Sequence, residues 1–137
     1  MKISVASGVL TAIASILVLI AAVLTINDAL ITYGGYGYGF IQGTNIFFWI
    51  AGVFEIIAFA AGLTGAICQI KSRYFLGAVF ANILLLASSG FLIAETLFRI
   101  GKMVLTFGEL LFFALPILLL AAIGITLVGM SHKEFKD

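Results

Sequence analysis

The chain has 137 residues, of which 64% are hydrophobic and only 9% charged, with seven Lys or Arg against six Asp or Glu. A soluble domain carries about 25% charged residues, so this composition excludes an ordinary water-soluble fold and makes the lipid bilayer the first expected partner. A net charge of +1 without a basic cluster excludes a nucleic-acid interface. The single Cys68 and single His132 exclude an internal disulfide, a cysteine-built zinc or iron–sulfur centre, a bis-histidine haem or metal site, and Ser-His catalysis within the membrane.

Four apolar segments organise the sequence, at 5–25, 46–70, 74–98 and 107–130. Each reaches the ~20 residues that a helix needs to cross the hydrocarbon core. The expected fold is all-α: an integral membrane four-helix antiparallel transmembrane bundle, one domain over 1–137, with an outer loop at 26–45 and a tail at 131–137.

Lys2 gives the first segment a positive start, but its apolar run of about 22 residues exceeds the ~7–15 of a secretory signal, so it is expected to be a span. Ser4, Gly8 and Ala12 recur at four-residue steps, a small-residue seam of the kind that lets helices approach closely in lipid. Asn27 and Asp28 favour turns and are expected to end this helix. The following loop lacks Lys and Arg and contains Tyr33-Gly34-Gly35-Tyr36-Gly37-Tyr38-Gly39-Phe40. Its glycines allow sharp turns, and Tyr33, Tyr36 and Tyr38 form either a contact surface for a partner or a flexible linker with aromatics resting at the interface. Without a Lys, and without a strand before it, the run is no phosphate-binding loop.

In the second segment, steps of three and four place Gly52, Glu55, Ala58, Gly62, Ala66 and Gln69 on one face, a second packing seam. Glu55 lies about 13 Å below the outer end at 1.5 Å per residue, where an acid costs roughly 2.5–3.5 kcal/mol on insertion scales. In the third segment Asn82, Ser89 and Thr96 are spaced by seven, with Ser88 and Glu95 on the flank. Counted from the inner end, Asn82 is about 12 Å deep, so Glu55 and Asn82 are expected to meet. Two readings follow. In one, a neutral Glu55 carboxyl donates to Asn82 or Ser88 and holds two helices in register. In the other, Glu55 is a proton or cation site in a transport path lined by Asn82, Ser88 and Ser89.

The last segment opens with Thr106-Phe107-Gly108-Glu109, a Ser/Thr-x-x-Glu capping pattern, and contains Pro116, which frees the carbonyl of Phe112 and predicts a kink. Trp49 and Tyr74 suit the aromatic belts at the two interfaces. Lys2, Lys71, Arg73, Lys133 and Lys136 fall on one side of the expected topology against Arg99 and Lys102 on the other, which predicts cytoplasmic termini.

The layout is similar to that of small four-span families such as the tetraspanin-like, claudin-like and small multidrug-resistance proteins. Neither cysteine-stapled outer domains nor a Glu in the first span occurs here, so the sequence is assigned to none of them. The expected role is a non-enzymatic structural or accessory subunit of a membrane assembly, reached by self-association or with other membrane subunits, without cofactor or metal. The alternative is a small oligomeric channel or proton-coupled transporter using Glu55. An enzyme acting on lipid through Glu55 or Glu95 would lack a paired buried base.

Overall fold

A computed structural model describes residues 2–33, 42–99 and 113–135. These form α1 (Ile3–Tyr33), α2 (Gln42–Ile70), α3 (Phe75–Arg99) and α4 (Leu115–Met130), followed by one 3-10 turn over His132–Glu134, and contain no strand. Three stretches, Ile3–Asn27, Trp49–Ile70 and Phe75–Ala94, are long and apolar enough to cross a membrane, while α4 is a shorter apolar helix of 16 residues. Helix is the form such segments must take, since lipid offers no hydrogen-bond partner to an exposed amide.

Glycine contacts set the packing. Gly8 of α1 faces Ala66 and Ile70 of α2 while Gly52 faces Ile26, and Gly65 meets Ala81 of α3. With Phe54 and Phe91 in contact at 4.8 Å between ring centroids, these pairs make α1, α2 and α3 successively antiparallel. Helix α4 closes the ring between α3 and α1, and α1 touches α3 across the short diagonal. This is the four-helix antiparallel architecture expected from the sequence.

The residue distribution is inverted relative to a soluble bundle. Ala14, Val18, Ala21, Ala58, Leu85 and Ala121 fill the core, whereas Val9, Ile13, Ile16, Ile20 and Val23 form an outward ridge on α1, each 44–61% exposed. Lipid supplies no drive to bury aliphatic chains between helices, so close van der Waals packing of small residues takes the interior and branched residues face out. A Cβ at Gly65 would fall 2.3 Å from the Ala81 Cβ, which shows how near the backbones of α2 and α3 come.

Several sequence expectations shift. Helix α1 does not end at Asn27-Asp28 but runs to Tyr33, just before Gly34-Gly35, and α2 already begins at Gln42, so much of the expected loop 26–45 is helical. Asn and Asp cost a helix interior less than 1 kcal/mol, roughly, and the Ala29-Leu30-Ile31 run carries the helix past them. Residues Gly34–Phe40 including Tyr36 and Tyr38, together with Lys102, Thr106–Glu109 and Lys136, lie outside the described residues, as do the side chains of Tyr33, Glu95, Thr96 and Arg99. Pro116 sits in the first turn of α4, directly after a π-type turn at Phe113–Ala114. The missing amide therefore falls where a regular α-helical ladder starts, a position at which proline is tolerated.

The α2–α3 turn is a Schellman closure. Arg73 N donates to the Cys68 carbonyl at 2.9 Å and Ser72 N to the Gln69 carbonyl at 3.1 Å, with Ser72 in the left-handed region at φ 54°. Tyr74, at φ 59°, then starts α3 by accepting from Ala78 N. The expected tail folds back on this end. Glu134 Oε1 accepts from Ser4 N at 3.2 Å, placing a carboxylate at the positive end of α1, and the His132 and Phe135 rings pack edge-on against Phe75. Lys2, Lys71, Arg73 and Lys133 are exposed at this same end of the bundle.

Candidate functional site

Helix α1 contributes more buried polar side chains than any other described helix. Ser4, Ser7, Thr11 and Ser15, spaced by three, four and four, are fully buried, and Thr25 follows two turns beyond Val18. The seam expected on this helix is Ser4, Gly8 and Ala12. Gly8 is buried beside the hydroxyl stripe, and Ala12 is only half-buried. The signal that would have found the stripe was its polarity, since hydroxyls in lipid turn toward protein. Most of these groups bond their own helix: Ser7 Oγ donates to the Ser4 carbonyl, Thr11 Oγ1 to that of Ser7, and Ser15 Oγ to that of Thr11, at 2.9, 2.9 and 2.7 Å.

Two polar clusters lie along this stripe. Near the Lys/Arg-bearing end, Thr11 Oγ1 is 3.2 Å from Gln69 Oε1 and 3.2 Å from Asn82 Oδ1, so α1, α2 and α3 converge on one hydroxyl. Gln69 Nε2 donates to the Gly65 carbonyl and Asn82 Nδ2 to the Ala78 carbonyl, both at 3.0 Å, which turns each amide oxygen inward. Helix α4 adds Gly124, where a Cβ would stand 2.6 Å from Asn82 Oδ1, so only glycine lets α4 close over the cluster. Two turns of α1 nearer the end, Ser4 Oγ and Ser72 Oγ share a 2.7 Å hydrogen bond between α1 and the α2–α3 turn.

Glu55 forms the second cluster, fully buried on α2, with its Oε1 3.5 Å from Thr25 Oγ1 of α1. It does not meet Asn82, whose partner across the interface is Thr11. Register keeps the two residues apart. Phe54 lies level with Phe91, which sets Asn82 about nine residues, hence ~13 Å, along the axis from Glu55. Depths of about 13 and 12 Å from opposite faces of a 30 Å layer would leave only about 5 Å between the two residues, but Glu55 stands about 22 Å from the end of α2 at Ile70, so the axial gap to Asn82 is wider. Between the clusters stand apolar residues, among them Ala14, Val18, Ala58 and Leu85.

Ser88 and Ser89 are buried on α3. Ser89 Oγ donates to the Leu86 carbonyl at 2.6 Å, and Ser88 Oγ makes no hydrogen bond with the described residues. The seam residues Gly52, Ala58, Gly62 and Ala66 are buried on the face of α2 that also carries Glu55 and Gln69. A Cβ added at Gly62 would meet both Ser15 of α1 and Leu85 of α3. Trp49 and Tyr74 are exposed on the surface of the bundle, one toward each end. Among the described residues no three of His, Cys, Asp and Glu converge, so a transition metal finds no such donor set there. No protein-family model, curated protein or solved structure matches this chain.

Proposed function

We propose that this chain is a non-enzymatic structural or accessory subunit of a membrane assembly, associating with copies of itself or with other membrane subunits, its termini on the cytoplasmic side. The observation that carries the reading is the close-packed interior. Added Cβ atoms at Gly8, Gly62, Gly65 and Gly124 would all come within 2.9 Å of a neighbouring helix, so the described helices are in close contact at these levels, which favours a packing role over a path for a solute through one chain. The aliphatic ridge on α1 and its counterparts Ile50, Val53, Ile57 and Ile67 on α2 supply apolar surface for lipid or for neighbouring helices. The exposed Lys2, Lys71, Arg73 and Lys133 at one end support the cytoplasmic placement of that end. The native mass of the particle released from its own membrane in mild detergent tests the assignment. A particle of several copies, or one containing other subunits, is the expected result; a folded monomer would overturn it.

The burial of Glu55 beside Thr25 favours one second reading, a proton-coupled transporter whose path runs between copies, because intramembrane acids commonly mark ion pathways. Glu55→Gln separates the two. In proteoliposomes under an imposed proton gradient the transporter reading expects wild-type flux that the substitution abolishes in a folded protein. The structural reading expects no gradient-driven flux from either protein and a stability change within about 1.5 kcal/mol, since an amide can still bond the Thr25 hydroxyl.

A further inference from the structure

The centre of the Thr11 cluster holds more acceptors than protons. Thr11 Oγ1 stands within hydrogen-bond distance of three oxygens, the Ser7 carbonyl, Gln69 Oε1 and Asn82 Oδ1, and a hydroxyl has one proton to give. The Ser7 carbonyl already accepts the backbone N–H of Thr11 within α1, so the shortfall falls on the amides: when Thr11 gives its proton to one of Gln69 Oε1 and Asn82 Oδ1, the other faces it without a donor. Reversing either amide does not help. It would bring an NH2 group to Thr11 but set the amide oxygen 3.0 Å from the backbone carbonyl of Gly65 or Ala78, exchanging one acceptor pair for another. Thr11, Gln69 and Asn82 are all 0% exposed, so bulk water does not relieve the surplus.

We propose that Thr11 Oγ1, Gln69 Oε1 and Asn82 Oδ1 form a binding site for a dehydrated monovalent cation, sodium. Oxygens 3.2 Å apart are separated as two ligands each about 2.4 Å from one hard cation and near a right angle to each other, the range typical of protein oxygen donors. The donors are neutral amide and hydroxyl oxygens. A divalent ion would bring a double charge into a cluster with no carboxylate of its own, whereas one charge is matched by several inward dipoles. A polar line leads to the site from the Lys/Arg-bearing end. Glu134 Oε1 meets Ser4 N at 3.2 Å, Ser4 meets Ser72, and Ser7 bonds the Ser4 carbonyl on the way to Thr11. In the other direction Ala14, Val18 and Leu85 close the core. A cation there would tie α1, α2 and α3 at one point, under the cover of α4 at Gly124.

The test uses the full chain in detergent, its unfolding temperature followed in sodium chloride and in choline chloride at constant ionic strength, with binding of radiolabelled sodium in parallel. The expected result is saturable stabilisation by sodium that choline does not reproduce. Thr11→Val, nearly isosteric, is expected to weaken sodium binding at least about tenfold, the scale of one lost hydrogen-bond-strength contact to a charge. Asn82→Asp adds a carboxylate at the same position and is expected to tighten binding, which keeps the inference testable if the Thr11 variant does not fold. Equal stabilisation in the two salts without sodium retention, or a sodium effect undiminished in Thr11→Val, would overturn the site and leave a buried water as the donor between the amides.

Discussion

Gly65→Ala is expected to destabilise the bundle by about 1–3 kcal/mol, the range of overpacking in a filled core, although it adds one methyl group. The methyl would lie 2.3 Å from the Ala81 Cβ, an atom fixed to the backbone of α3 that no rotamer change can move. The helices themselves must separate. Gly62→Ala makes an informative comparison because its nearest atom is closer, at 2.1 Å, yet that atom is Ser15 Oγ. The hydroxyl can rotate away at the loss of its bond to the Thr11 carbonyl, and the next atoms are 3.1 and 3.2 Å off. Gly90→Ala, with nothing within 4 Å of the new Cβ, is expected to gain up to about 1 kcal/mol by restricting the unfolded chain. Reversible unfolding in mixed micelles should give the order Gly90→Ala above wild type, then Gly62→Ala, then Gly65→Ala. A Gly65→Ala protein as stable as wild type would mean that α2 and α3 are not in this close contact.

The second large effect is expected at Ser72. Ser72→Val places a β-branched side chain at φ 54°, a strain of order 1–3 kcal/mol, and removes the 2.7 Å bond to Ser4, a further ~1 kcal/mol. The combined loss is roughly 2–4 kcal/mol. Ser72→Ala removes only the bond, and Ser72→Gly removes the bond while relieving the left-handed strain, so the stabilities should fall in the order Gly, Ala, Val. Unfolding of the three variants side by side checks the order. A valine variant no weaker than the alanine variant would show that the turn does not hold Ser72 in the left-handed region.

Much of the fold was legible because lipid imposes it locally. A run such as Ile46–Ile70, apolar throughout apart from a few polar residues, has to be helical, and the Lys71-Ser72-Arg73 triplet between two runs has to be a short turn. The Lys and Arg positions were informative for the same reason, and the structure gathers Lys2, Lys71, Arg73 and Lys133 at one end. The capping of α1 by Glu134 was not legible. It joins residues 130 positions apart, and nothing near either one signals the other.

The candidate site divides in the same way. That Glu55 and Asn82 would turn inward could be read from the cost of exposing them to lipid, and both are fully buried. Their partners could not. Asn82 meets Thr11 and Glu55 meets Thr25 because Gly8 sits on Ala66, Gly52 on Ile26 and Gly65 on Ala81, contacts that fix how far each helix slides and rotates against the next. Hydrophobic length, charge placement and the need to satisfy every backbone amide are properties of a single segment, so the four apolar helices and the inward turn of Glu55 and Asn82 could be read from the chain, while the hydroxyl stripe of α1 was missed. Axial register and rotation are properties of pairs of surfaces. They depend on which glycine admits which neighbour, which is why the split of the polar interior into two clusters emerges only when the helices are packed together.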